Sequence, residues 1–318
     1  MTCCDSGYGL RHCPIRLDAQ VGYGHFGLDF ILRPSVNFVA SPGGTPNTNL
    51  CLSFTDSNVP IGSIEAGIGF RSGLFLSSRF QGSGARSVGV ETPEAPAPLS
   101  QGVQPSTWDG SGFQWWTIDN VIGYRITPYI STVVGLRWDK LSMDLTNPKD
   151  TNGRVLNLYE ATPGKTDVTI TYNCNFSSGL WIPYLGAQIT GQRYRAALLW
   201  GPYAWADMKI PFRSYFMTND YGKDIHQMLW WNYDYRCNSL KTANLLEYDF
   251  AYDLVADPRF TFQLWTRGNW MQLSWKGLFD GLYGMSQPPL VIPGQYDLDT
   301  ANCKRWLISG GIGAVFWF

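Results

Sequence analysis

The sequence predicts an all-β chain, an antiparallel transmembrane β-barrel of ten strands with short periplasmic turns at one end and long extracellular loops at the other. Three observations predict it. The composition suits strands and interfaces: of 318 residues, 15% are aromatic and only 15% charged, with 34 Gly, 14 Trp and 17 Tyr. Several segments alternate apolar and polar residues over lengths beyond the roughly 5 to 6 of a soluble strand. Turn signals alternate between short and long spacing, as in barrels that cross a membrane. Mean hydropathy is −0.15 and no apolar run nears the roughly 18 residues of a membrane-spanning helix, but a barrel hides its membrane band in alternation.

Taken in chain order, strands are expected near 19–32, 61–69 and 73–81, where Gly67-Ile68-Gly69 and Gly82-Ser83-Gly84 read as strand and turn glycines rather than phosphate cradles. Strands 113–125 and 128–145 form a hairpin about a turn at Thr127-Pro128, with Trp116, Ile118, Ile122 and Tyr124 answered by Ile130, Val134, Leu136 and Trp138. The strongest alternation lies in 166–190, where Val168, Ile170, Tyr172, Cys174, Phe176, Leu180, Ile182 and Tyr184 share one parity against Thr169, Thr171, Asn173, Asn175 and Ser177. A tight connection near Gly191 leads to 193–206. Strand 244–255 sets Leu246, Tyr248, Phe250, Tyr252 and Leu254 against Glu247, Asp249 and Asp253, carboxylates that must face a polar lumen or water. After a turn at Asp257-Pro258 comes 259–276, with Phe260, Phe262 and Leu264 on one face. The last strand, 304–318, carries Trp306, Ile308, Ile312, Ala314, Phe316 and Phe318 toward lipid, while Gly311 and Gly313 leave room inside for longer side chains. Ten strands result, or eight or twelve if the 166–190 segment or the N-terminus is misread. The intervening segments 81–112, 147–165, 212–243 and 279–303, rich in Pro, Gly, Asp and Asn, are read as outer loops.

Residues 19–318 thus form a single barrel domain, preceded by a doubtful segment, 1–18. The stretch 1–13 has no apolar core followed by a small-residue cleavage site, which an exported barrel needs, so it reads as a truncated or mis-started N-terminus. Seven cysteines leave at least one unpaired if all pairing is internal; Cys3, Cys4 and Cys13 lie in that segment, and Cys51, Cys237 and Cys303 in expected loops. Their spacings, like that of Cys174, match no zinc motif, and neither metal nor cofactor is expected. Net charge is −1 with no basic stripe, which argues against nucleic acid as a partner.

Charged residues on inward parities include Asp119, Arg137, Asp139, Arg195, Glu247, Asp249, Asp253 and Arg267. They read as a mixed-sign network filling a narrow barrel rather than as the lining of an open pore. Most tryptophans fall near strand ends, as an interfacial girdle would place them. Trp230, Trp231, Tyr233 and Tyr235 sit together in an expected outer loop and are the candidate surface-contact cluster.

From about residue 122 to the end the layout resembles the omptins, ten-stranded outer-membrane aspartate/histidine proteases. The stretches that carry the resemblance are Trp181-Ile182-Pro183-Tyr184-Leu185-Gly186, Tyr194 through Trp200, Ala204-Trp205-Ala206-Asp207 and the closing strand. The terminal Phe318 is similar to the signal that barrel-assembly machinery reads. The resemblance implies a bacterial outer-membrane location, lipid or lipopolysaccharide around the barrel, and that machinery as a partner during insertion. It also implies an Asp and a His two residues apart beyond the Trp-containing strand, with an acidic pair from another loop. Here Asp207 is followed by Met208, Lys209, Ile210 and Pro211, and residues 79–93 show no acidic-Trp-x-acidic element. Lys and Pro cannot act as the base for a water nucleophile. Asp224 and His226 in the next loop offer a displaced site, with His226 as base and Asp224 orienting it, against the plainer reading of solvated loop residues.

The expected function is an integral outer-membrane barrel, omptin-like but non-proteolytic, whose outer loops carry a binding or structural role toward a ligand the sequence does not name. The alternatives are an active omptin-type endopeptidase and a soluble, aromatic-rich carbohydrate-binding β protein.

Overall fold

The computed structural model describes residues 15–34, 50–56, 58–92, 106–149, 167–220, 225–257, 259–286 and 289–318. They form one antiparallel sheet of eleven strands: β1 (Ile15–Pro34), β2 (Leu50–Asp56), β3 (Asn58–Gly69), β4 (Leu74–Thr92), β5 (Ser106–Arg125), β6 (Ile130–Lys149), β7 (Asp167–Thr190), β8 (Tyr194–Asp220), β9 (Ile225–Ala256), β10 (Phe260–Ser286) and β11 (Pro289–Trp317). Strands β2 and β3 both lie between β1 and β4, one above the other, and make a single stave. The last strand pairs with the first, from Arg16↔Trp317 to Pro34↔Leu298, so the barrel is closed and has ten staves.

Tight turns gather at one end. Phe70 N–H donates to Leu74 O at 2.8 Å, Ile126 N–H to Ile130 O at 2.9 Å, Gly191 N–H to Tyr194 O at 2.8 Å and Asp257 N–H to Phe260 O at 2.7 Å. Gly73 closes the first of these at φ +88°, in the left-handed region where a Cβ is disfavoured. At the same end Phe318 N–H donates to Ile15 O at 3.0 Å, which locks the closing strand.

All ten expected strands are present, but several run further than the alternation shows. Hairpin β8–β9 stays paired to Asp220↔Ile225, and β10–β11 to Ser286↔Pro289, so most of 212–243 and 279–303 is strand rather than loop. Cys51, Cys237 and Cys303, expected in loops, accordingly lie in β2, β9 and β11, and Cys303 is a buried free thiol. The reason is physical: a period-two pattern marks a strand only where its two faces meet different media, and residues 230–235 carry aromatics on both parities.

The side chains show that polar and apolar faces trade places partway up the barrel. Along β6, Thr132, Val134, Leu136 and Trp138 point outward while Ser131, Arg137 and Asp139 are buried inside. Two residues further, Lys140, Ser142 and Asp144 point outward and Leu141, Met143 and Leu145 inward. Strand β10 repeats the switch, from Leu264 out and Arg267 in to Gln272 out and Met271 and Leu273 in. Strand β11 does so about Trp306, with Ile308 and Ile312 out below it and Lys304 out and Cys303 in above. Tryptophans 138, 181, 205, 270 and 306 mark the outer level of the exchange. The lower part is therefore apolar outside and mainly polar inside, apart from a small apolar cluster of Val133, Tyr184 and Leu199, and the upper part is the reverse.

The alternation of 166–190 leaves open which face turns inward, and the structure shows that its described apolar parity does: Phe176, Leu180, Ile182 and Tyr184 are buried in the lumen, and Trp181, Pro183 and Leu185 lie outside. The strand crosses the level of exchange, so its most regular apolar run belongs to the interior. On the lower outer face Val134 is 64% exposed and Ile122 58%, part of an apolar belt that runs around the barrel. From Phe316 to Trp306 on β11 the belt spans ten residues, about 33 Å along a strand and about 25 Å of height at the usual barrel tilt.

Candidate functional site

The lower lumen is filled by ion pairs that cross it. Near the tight turns, Asp18 receives Arg16 at 2.6 Å and Arg195 at 3.5 Å, while Arg16 also reaches Glu65 at 3.2 Å. Gln263 Nε2 donates to Asp18 at 3.0 Å, and both Gln263 and Gln20 occupy the space over Gly313 where a Cβ would meet them at 3.1 and 3.0 Å. At Gly313 the room expected for longer side chains is used in this way, whereas at Gly311 a Cβ would meet the backbone of Val21 and Gly22 on β1.

Above this lies a cluster of three arginines and three carboxylates. Arg79 contacts Asp249 at 2.6 Å, Glu247 at 3.1 Å and Asp119 at 3.2 Å; Arg137 contacts Asp119 and Glu247, each at 2.6 Å; Arg267 contacts Asp249 at 2.8 Å and also donates to Gln81. Asn269 Nδ2 donates to Glu247 at 2.9 Å. Higher still, Arg305 binds both oxygens of Asp139 at 2.5 Å, and Trp115 Nε1 donates to the same carboxylate at 3.3 Å. Strands β4 and β9, and likewise β6 and β11, stand five staves apart in the ring of ten, so Arg79–Asp249 and Arg305–Asp139 span the full diameter. Charges removed from water are tolerated only when paired and bonded in this manner. Guanidinium groups also stack on rings, Arg305 over Phe26 at 5.8 Å and Arg267 over Trp265 at 5.7 Å.

The upper lumen closes with an apolar layer to which every stave contributes: Phe26 from β1, Ile61 from β3, Val88 from β4, Phe113 from β5, Met143 from β6, Phe176 from β7, Met208 from β8, Leu245 from β9, Met271 from β10 and Leu307 from β11. Burying each such side chain is worth roughly 1.5–3 kcal/mol for the larger ones, so this layer is a core in its own right. Ions below and hydrocarbon above leave the lumen filled at both levels.

All eight charges expected on inward parities do face inward, Arg195 and Asp253 at its edges. Sequence reasoning missed Arg16, Asp18, Glu65, Arg79 and Arg305. Arg305 adjoins Lys304, so charge occurs there on both parities, and β4 offers Phe75 on the same inward parity as Arg79.

The candidate catalytic residues are not brought together. Asp207 and Lys209 lie on the outer surface of β8, while Ala206 and Met208 fill the interior positions beside them. In the β8–β9 ladder Asp207 pairs with Asn238 and His226 with Asn219, twelve residues along β8, which separates the two by about 40 Å. Asp224 lies outside the described residues. Trp230, Trp231, Tyr233 and Tyr235 stand on β9 between β8 and β10, where Trp230 pairs with Tyr215 and Gly284, and Tyr235 with Ile210 and Phe279. Among the described residues no group of His, Cys, Asp and Glu has a metal-binding arrangement.

No family model matches the chain, and no curated protein matches its sequence. Among solved structures it is similar to the outer-membrane protease OmpT from Escherichia coli, at 10% identity and a TM-score of 0.53, over 95% of this chain and 97% of that one. A Pseudomonas aeruginosa FadL homologue matches over 96% of this chain and 90% of its own, at 8% identity and a TM-score of 0.34. The Ralstonia pickettii toluene transporter TbuX covers 98% and 91% respectively, also at 8% identity and 0.34. The first likeness is one of fold: the chain shares with that protein a closed antiparallel barrel, here of ten staves.

Proposed function

We propose that this chain is an integral protein of the bacterial outer membrane, a sealed and non-proteolytic barrel whose role lies in the β-structured rim it holds outside the bilayer. The observation that carries this reading is the exchange of polarity at the tryptophan level. An apolar belt about 25 Å high matches the hydrocarbon that such barrels cross. Above it, a polar exterior around an apolar core is the arrangement of a protein part standing in water. Lys140, Lys209 and Lys304 point outward just above the belt, where lipopolysaccharide phosphates would lie, and they support that lipid as the surrounding partner. Barrel-assembly machinery would insert the chain.

Against proteolysis stand Asp207 on the outer wall, His226 far from it, and apolar inward positions at the lumen's upper level. The rim, with Trp230, Trp231, Tyr233 and Tyr235 fixed on a paired sheet, is the surface for an external contact. The test begins with extraction: the protein should require detergent and migrate heat-modifiably on gels, and a monodisperse protein in plain buffer would refute the membrane reading. In lipopolysaccharide-containing detergent it should leave dibasic peptides intact. Cleavage abolished by His226→Ala would refute the non-proteolytic part alone.

A further inference from the structure

The apolar belt has one polar interruption shared by adjacent strands. Ser78 on β4 and Asn120 on β5 are direct cross-strand partners, both exposed on the outer face, and Ala66 on β3 continues the row opposite Ser78. Because these three are short, they form the floor of a groove of roughly 750 Å³ whose lower wall includes Ile68, Leu76 and Ile122. The row above it is long again, Ile64 opposite Phe80 and Phe80 opposite Ile118. Asn120 lies four residues from Tyr124 and four from Trp116, about 10 Å of height from either edge of the belt.

At that depth a carboxamide is costly. It carries two donor hydrogens and two acceptor lone pairs, and a neighbouring serine hydroxyl satisfies only part of them. Among the described residues neither Ser78 nor Asn120 has a side-chain hydrogen bond. Lipid cannot supply one, because the bilayer centre holds only the ends of acyl chains. The partner must be protein with a polar group at the same height. Two copies inserted the same way in one membrane are related by an axis along the membrane normal, which sets Asn120 of each at equal depth. A carboxamide, both donor and acceptor, is its own complement across such a two-fold axis.

We infer that this groove is the interface of a parallel two-fold dimer of the chain, with Asn120 of each copy bonded to Asn120 or Ser78 of the other. The inference rests on the outer-membrane reading above. Its test places a benzophenone amino acid at Ile122 in the full-length protein in native outer membranes, with Leu264 on the opposite side of the barrel as the control site, and heat-modifiable migration confirms insertion in every sample. Irradiation should give an adduct of twice the chain's 35.7 kDa from position 122 and not from 264. In sedimentation equilibrium in detergent, Asn120→Leu should weaken dimerisation by about tenfold and Ser78→Ala by less, the scale of one intramembrane polar contact. Leucine suits the lipid face, so the variant should still fold. Equal adducts from both positions, an adduct of another mass, or an Asn120→Leu protein that dimerises as before would each overturn the dimer while leaving the membrane reading intact. A wild type that migrates without heat modification would instead overturn the membrane reading.

Discussion

Arg137 sits at the hinge of the lumen's charge balance, and replacing it with Met should cost about 3–5 kcal/mol of stability, the usual penalty for removing one partner of a buried pair. The central cluster holds Arg79, Arg137 and Arg267 against Asp119, Glu247 and Asp249, three charges of each sign and a net of zero. Without Arg137 the net becomes −1 in a space where Arg137, Asp119 and Glu247 are each only 2% exposed or less. Asp119 would keep only Arg79 at 3.2 Å, and Glu247 would keep Arg79 at 3.1 Å and Asn269 at 2.9 Å. Adding Asp119→Asn to Arg137→Met restores neutrality and should recover more than half of the loss, because the penalty belongs to the stranded charge rather than to the missing contact. The assay is reversible urea unfolding in phospholipid vesicles, followed by tryptophan fluorescence and checked by heat-modifiable migration. A single variant that loses less than about 1 kcal/mol, or a double variant whose loss is the sum of the two singles, would refute the account of a coupled network.

Other outcomes follow from the same geometry. Met143→Asp puts a carboxylate into the apolar layer and should destabilise by about 3 kcal/mol or more, while Ser142→Asp, one residue away on the polar outer face, should stay within about 0.5 kcal/mol. Leu264→Arg in the outer belt should cost about 2–4 kcal/mol in a bilayer, measured by the same unfolding. In planar bilayers the wild type should show no stable conductance steps, because two diametral ion pairs and the layer above them fill the lumen; steady ohmic openings would contradict that.

How much of this was legible in the sequence depended on which medium each strand face met. Strands 244–255, 259–276 and 304–318 read correctly, inward charges included, because Leu246, Leu264 and Ile312 face the belt while Glu247 and Arg267 face the lumen. The 166–190 strand gave the cleanest pattern but not which face turns inward, since its lower outer residues Trp181 and Leu185 are as apolar as its inner ones. Nothing local in a sequence says that the lumen has turned apolar above; that follows only when Phe26, Phe113 and Met271 arrive from distant strands. The upper hairpins were hidden for a related reason, having aromatics on both parities near 230–235. For the site, the lack of a His beside Asp207 was plain in the sequence, but its place on the outer wall needed the register of β8. Asn120 was legible too, as a carboxamide on the outward apolar parity between Ile122 and Ile118.

The central claim is that the barrel exchanges inside for outside at the level of Trp138, and a nitroxide scan along the outward residues of β6 tests it most directly. Labels at 132, 134, 136, 140, 142 and 144, in the protein reconstituted into bilayers, report relative collision with oxygen and with a water-soluble nickel chelate. The account predicts oxygen-dominated signals at 132, 134 and 136 and a change to chelate-dominated signals between 136 and 140. Chelate access at all six positions, or oxygen dominance continuing through 144, would contradict it.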